Sequence, residues 1–410
     1  IFKDRKILKR EAFLNLSRSG YLLSKILILF LISAIQSISF VLVANSILEL
    51  RGLNFEYFFS LWTIAAFANM LGLNISSAFN SAVTIYILIP LLMIPQMVMG
   101  GAMFTFDKLN KTVGSVDKVP LIAQGVATYW CYEGLMVKQF KDNDFEKYFY
   151  EYDKAISQGD LQGTKWTAEI RQRVDEALSA ILSKNQVQIK KAEKTLKLIH
   201  YEISKELKNN PNVEFKYLDK LNVNDFNIQI ADHTLKYLDQ ITDYYEMQIS
   251  KAQKAKERII MALDAKDPQI YLNQQNRYHN EAVAEVVKNI YMKQVVESNG
   301  RLIKQRDPIF RLPEPAHYFD FRSHFFAPKK HFMGRYFETY WFNIVMVWLM
   351  TILLYITLYY DVLKKMVEFD FARRLGPYIP TINYSKLLNP LKSIAQKIKI
   401  PRIIVRIRKK

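Results

Sequence analysis

Cysteine is nearly absent from this 410-residue chain: Cys131 stands alone, so no internal disulfide framework is possible. No G-x-x-x-x-G-K-[S/T] stretch occurs, so the chain cannot cradle nucleotide phosphates by that loop. G-x-S-x-G, H-E-x-x-H and paired-cysteine zinc spacings are missing as well, which removes the common hydrolase and zinc-enzyme readings. His317, Asp320, His324 and His331 fall close together in sequence, but their spacing matches no defined metal site, and interfacial histidines are the preferred reading. No catalytic residue and no metal site is expected. The numbering opens on Ile1 rather than Met and directly on a basic amphipathic stretch, so no signal peptide is expected at this point and the chain is expected to continue upstream.

Charge is also absent over long intervals. Residues 26–48, 57–106 and 339–360 carry no Asp, Glu, Lys or Arg. The first and last are each long enough for one bilayer crossing, and the middle interval for two, broken around Asn74, Ser76, Ser77, Asn80 and Ser81. Residues 84–104 hold nine Leu, Ile, Phe or Val, favouring insertion by about 3 to 5 kcal/mol before other terms. Pro90, Pro95 and Gln96 oppose that sum, so this helix should lie against other helices rather than wholly in lipid. Gly100-Gly101 after it permits close approach of another backbone. No span contains an ionisable group that would mark an ion path, which disfavours ion coupling.

The charge that is present concentrates elsewhere and sums to +18. Six Lys/Arg precede residue 20, and thirteen follow Tyr360 against three acids. Four spans put both ends on one side, and the positive-inside rule puts that side in the cytoplasm. A membrane reading explains the net charge without a nucleic-acid partner. The clustered Lys/Arg of the tail would draw anionic lipid at about 1 kcal/mol per charge. The polar segment between spans three and four then lies outside.

That segment carries apolar residues at helical spacing. Trp166, Ile170, Val174, Leu178, Ile181 and Leu182 lead into Leu196, Ile199, Ile203 and Leu207, with Asn209-Asn210-Pro211 as the stop. A second helix is expected from an Asp225 cap to Leu263, and a third from Asp267-Pro268 to about Gln305. Three long amphipathic helices imply an antiparallel bundle or coiled-coil stalk. Either a rigid cover over an exit or a docking arm for an envelope partner would suit it.

Thr128-Tyr129-Trp130-Cys131-Tyr132-Glu133-Gly134-Leu135, closing at Phe140, follows the Gly100-Gly101 turn and a polar stretch of about twenty residues. It is too short to span and suits the headgroup level. This order, with Lys9-Arg10-Glu11 and Tyr21-Leu22-Leu23-Ser24-Lys25 ahead of it, resembles the permease part of bacterial G-type ABC exporters over about residues 1–140 and 310–365. The family's usual Pro before this motif is missing, Gly134 stands for its usual Ala, and its short last loop is replaced here by the long insertion.

The resemblance implies an all-α membrane protein: four transmembrane helices preceded by an amphipathic coupling helix, with a large helical, coiled-coil-like extracytoplasmic insertion between the last two spans. Its parts would be a cytoplasmic coupling helix (1–20), three spans (21–106), a re-entrant loop and helix (107–144), an extracytoplasmic helical domain (145–312), a juxtamembrane segment (313–338), the last span (339–361) and a basic cytoplasmic tail (362–410). Lys9, Arg10, Glu11 and Phe13 would meet an ABC nucleotide-binding domain, which would hold ATP and Mg; this chain itself would hold no cofactor. A second permease would complete a dimer in the inner membrane. Ile94 and Met97 would line the path, with Ala102 and Met103 at the constriction. Asn69 would either bond between helices or touch substrate, the former preferred. The implied activity is ATP-driven export of a hydrophobic or lipid-like substrate by alternating access. The alternatives are a mechanical transducer acting on an envelope partner, or a structural subunit of a secretion or motility machine.

Overall fold

The computed structural model describes residues 17–79, 81–104, 106, 117–183, 185–211, 213–265, 267–298 and 300–368. Lys9, Arg10, Glu11, Phe13 and the basic tail beyond residue 368 lie outside them.

Among the described residues, four helices are long and apolar enough to cross a membrane: α1 (Arg18–Ile47), α2 (Asn54–Ala78), α3 (Ala82–Met99) and, after the insertion, the helix Thr339–Tyr359. The shortest has 18 residues, about 27 Å at 1.5 Å per residue, close to the thickness of a hydrocarbon core. Ser17 caps α1, its Oγ accepting from Gly20 N at 3.3 Å. The buried residues of α1 form one stripe, Leu22, Ile26, Ser33, Ser37, Val41 and Asn45, spaced mostly by four. Small and polar side chains dominate its second half, because helices in lipid associate through close packing and hydrogen bonds. Asn69 Nδ2 donates to Ser33 Oγ at 2.7 Å, and Asn45 Nδ2 to Asn54 Oδ1 at 2.7 Å, tying α1 to α2.

Next come α4 (Leu121–Gln124) and α5 (Ala127–Lys141), then the insertion. It holds α6 (Glu146–Asp160), a π-helical turn (Leu161–Trp166), α7 (Thr167–Leu182), α8 (Gln186–Asn209), α9 (Ile228–Asp264), α10 (Ile270–Tyr278) and α11 (Glu281–Lys288). Strands β1 (Val295–Ser298) and β2 (Arg301–Lys304) form one antiparallel hairpin, and β3 (Lys329–Phe332) and β4 (Arg335–Glu338) another. The last span is α12 (Thr339–Tyr359), followed by α13 (Val362–Glu368).

The insertion departs from three long helices. Its first stripe is two antiparallel helices, α7 and α8, and Asn185 caps α8 by accepting from Val187 N at 2.9 Å. Asn209 ends α8 as expected. The cap of α9 is Asn227, two residues beyond Asp225, accepting from Ile230 N at 3.1 Å. Asp267 Oδ1 does accept from Gln269 N, but the helix after it runs only nine residues, because extended His279 breaks it and Asn280 caps α11 afresh. Asn289 then closes α11 in the left-handed region, and a β-hairpin occupies the residues expected to stay helical to Gln305. Of the two expected forms, antiparallel bundle or coiled-coil stalk, the described residues form a bundle, built from shorter helices and with two short hairpins added.

Two cores hold it. Trp166, Ile170, Val174, Leu196, Ile199, Ile203, Leu238 and Ile241 interdigitate between α7, α8 and α9. Val137 and Phe140 of α5 pack with Tyr150, Val283, Val287, Ile309 and Phe310, so the bundle is seated on α5. Glycine decides the join at the π turn. A Cβ on Gly163 would lie 2.7 Å from Tyr245 Cβ, so only glycine lets α9 approach.

Arg18 pairs with Asp361 at 2.7 Å and donates to the Leu358 carbonyl, so the start of α1 and the end of α12 share one end of the bundle. The insertion leaves from the opposite end, where α5 packs beside the start of α12.

Candidate functional site at the Gly100-Gly101 turn

Pro90 and Pro95 each remove a backbone donor from α3, and the last turn of any helix leaves carbonyls unpaired. One of them, Gln96 O, accepts from Thr128 Oγ1 at 2.7 Å, so α5 closes the end of α3. Gly101 follows with φ +81°, and a Cβ there would fall 2.6 Å from Phe325 Cζ. The close partner admitted by Gly100-Gly101 is therefore a phenyl ring and a threonine side chain. Phe325, Phe106, Tyr129 and Trp130 continue the contact as an edge-and-tilt aromatic cluster.

Behind that cluster lies a sealed ion pair. Glu133 on α5 is 0% exposed and Lys330 on β3 is 1% exposed. Lys330 Nζ donates to Glu133 Oε1 at 2.8 Å, to Ser323 Oγ at 2.6 Å and to Tyr129 Oη at 3.3 Å, which uses all three ammonium protons. Glu133 Oε1 also accepts from Phe326 N at 3.2 Å, and Oε2 from Asn343 Nδ2 at 3.0 Å. Asn343 Nδ2 reaches Trp130 O as well, at 2.9 Å, so one residue of α12 reads both the backbone and the carboxylate of α5. Gly134 faces the same helix, and a Cβ there would rest 3.5 Å from Tyr340 Cα, an ordinary contact, so the packing of α5 on α12 does not itself demand glycine. Burial draws the Lys330 ammonium below the ordinary lysine range, and Glu133 opposes that.

Glu133 was visible in sequence as part of the motif; its partner was not. An acid in an apolar helix needs a cation from elsewhere, but Lys329 and Lys330 are adjacent. In a strand, neighbours point to opposite faces. Lys329 turns outward to Glu338 at 3.4 Å, and Lys330 turns in.

The remaining sequence candidates separate. Asn69 is turned to α1, bonding Ser33 and the Leu29 carbonyl. Ile94 and Met97 lie on α3, which buries no residue; they are 58% and 52% exposed. Met103 is exposed beyond the turn, and Ala102 lines a cavity of about 280 Å³ with Gly101, Phe106 and Phe325. Cys131 is buried and its Sγ faces Ser60 O at 3.8 Å. The histidines do not converge: His324 Nε2 bonds Pro308 O at 2.9 Å and His331 Nδ1 bonds Asp320 O at 2.9 Å. Among the described residues no group of three or more His, Cys, Asp or Glu could hold a metal ion.

Four helices of this length and apolarity support a multi-pass membrane protein, and the comparison with protein families narrows it. Residues 1–138 match the model of the family described as ABC-2 type transporter, so the first third of the chain carries an ABC-2 membrane domain, which supports an ABC transporter permease. No curated protein and no solved structure matches the chain significantly.

Proposed function

We propose that the chain is the membrane-spanning permease of an ATP-driven ABC exporter of the G type. The observation that carries this is the ABC-2 match over residues 1–138, which covers α1 to α3 and most of α5, together with the turn between α3 and α5. A nucleotide-binding domain, holding ATP and Mg, would act on residues 1–20 through Lys9, Arg10, Glu11 and Phe13. A second permease would complete the path along the exposed side of α3, where Ile94 and Met97 lie, with Ala102 and Met103 above them. Both chain ends face the cytoplasm and the insertion faces outward.

In this mechanism α5 is the moving part's anchor. It closes α3 through Thr128 and Gln96, and it is locked to α12 and the β3–β4 hairpin through Glu133. A shift of α3 on ATP binding would strain the Gly100-Gly101 turn, while the ion pair keeps α5 in register.

A second reading has its own support. The insertion core is continuous with α5 through Val137, Phe140 and Tyr150, so motion at the turn would carry the whole outer bundle. A mechanical transducer would use that linkage and move no substrate.

Cysteines at Ile94 and Met97 test the exporter reading in the complex that carries the nucleotide-binding domain. Their reaction with a thiol reagent should differ between the nucleotide-free and ATP-trapped states, against a silent background from buried Cys131. Equal reaction in both states contradicts it. Removal of 165–305 separates the readings: the exporter keeps ATP-dependent labelling changes, whereas the transducer loses all output.

A further inference from the structure

The insertion encloses a polar cavity of about 710 Å³ between α8, β2 and the segment 311–324. Asp117, Lys118, Lys304, Arg311 and His324 also line the smaller cavity that reaches Gly101 and Ala102, so these five residues form a wall between the two.

The acids lining the larger cavity are Asp117, Glu202, Glu206 and Glu314, and the three glutamates are already engaged. Glu202 accepts from Trp166 Nε1 at 3.1 Å and Leu302 N at 2.9 Å. Glu206 accepts from Tyr245 Oη at 2.8 Å, from Asn210 and from Gln162. Glu314 pairs with Lys205 at 2.7 Å. Lys118 and Lys205 are paired with Asp320 and Glu314, but three other cations of the lining are not matched in the same way. Lys304 Nζ donates to the Gln162 amide oxygen, a neutral group. The Nε atoms of Arg311 and Arg322 are shielded from solvent and have no acceptor among the described residues. Asp117, Glu314 and Asp307 influence Arg311 at longer range, but none forms an ion pair with it among the described residues. Burial lowers Lys304 to about 8 and Arg311 to about 10, because desolvation disfavours their charged forms, and an anion in the cavity would oppose that.

We propose that this cavity binds a phosphate-class oxyanion, with Lys304, Arg311 and Arg322 as its donors. Guanidinium forks match the tetrahedral oxygens of phosphate in paired hydrogen bonds, and burial strengthens such contacts. The oxyanion is either free inorganic phosphate or the head of a lipid whose chain enters the smaller cavity past Phe106 and Phe325. The site belongs to the insertion and stands whether or not the four spans move a substrate.

The purified full chain in neutral detergent micelles is titrated with dioleoyl phosphatidic acid, dioleoylglycerol and inorganic phosphate, with binding read by thermophoresis and thermal shift. Phosphatidic acid or phosphate should bind, dioleoylglycerol should not, and Arg311→Gln should weaken binding at least tenfold, with Arg311→Lys restoring part. Arg322→Gln gives the same loss if Arg311→Gln does not fold, and Lys197→Gln, exposed and outside the cavity lining, changes nothing. Tighter binding of the lipid than of phosphate identifies a headgroup site, and equal binding a free-anion site. The proposal is overturned if neither phosphate ligand binds, if dioleoylglycerol binds as tightly, or if both arginine variants bind like the parent. Loss of ATP-dependent labelling at positions 94 and 97 would leave this result untouched.

Discussion

A charge shut inside a protein is tolerable only while its partner is present. Removing one partner of a buried, hydrogen-bonded pair costs about 3 to 5 kcal/mol, because the survivor is left desolvated and unpaired. Lys330→Met or Glu133→Ala should therefore lower thermal stability by that order, whereas Glu133→Gln with Lys330→Met should recover much of it; equal loss in the double variant would mean the pair is not the source. Asp320 gives a pH-dependent counterpart. Burial pushes its carboxyl up, but hydrogen bonds from Lys118, Ala316 N and Arg322 N and the Lys118 charge together hold it at about 2, against an ordinary value of 3.8. The folded value lies below the unfolded one, so the stabilisation is complete above about pH 4 and drains as pH falls toward 2. Melting temperature should fall across that window in the parent and less so in Asp320→Asn. At this scale the sequence was half legible: Glu133 stood out in its apolar helix, while the choice of Lys330 over Lys329 came from strand alternation that no local signal announced.

Elements with long apolar runs were legible and those with mixed character were not. Residues 26–48 and 339–360 read as spans because nothing charged interrupts them, and α1 and α12 occupy them, α1 starting earlier at Arg18. In the insertion, the stripe through Leu182 and Leu196 kept helical phase across a reversal, so two antiparallel helices looked like one. Asn185 and Asn280 are caps that a periodicity reading passes over, and the Asn-Gly pair at 299–300 between β-branched runs is a hairpin signal that outweighed helix phase. The π turn was invisible because its cause is tertiary: Gly159 and Gly163 are small for the sake of Ile249 and Tyr245. Gly163→Val should cost about 1 to 3 kcal/mol by overpacking, read as a lower melting temperature. Gly72→Ala, which meets nothing within 4 Å in α2, should be neutral or slightly stabilising.

Across the whole molecule, the charge count and the geometry converge on one arrangement. Basic residues crowd both termini, and Arg18 and Asp361 meet at one end of the bundle while the insertion rises from the other. A substrate, by contrast, left no mark in the sequence, since the α3 residues proposed to line a path are apolar like any lipid-facing ones. The sidedness of that arrangement is open to direct measurement with a membrane-impermeant maleimide, because the native thiol is buried. Lys254→Cys, exposed on α9, and Ser19→Cys, exposed at the start of α1, are labelled separately in intact spheroplasts. Residue 254 should react at once and residue 19 only after the membrane is permeabilised; reaction of 19 with protection of 254 would contradict a permease with its ends inside and its insertion beyond the outer face.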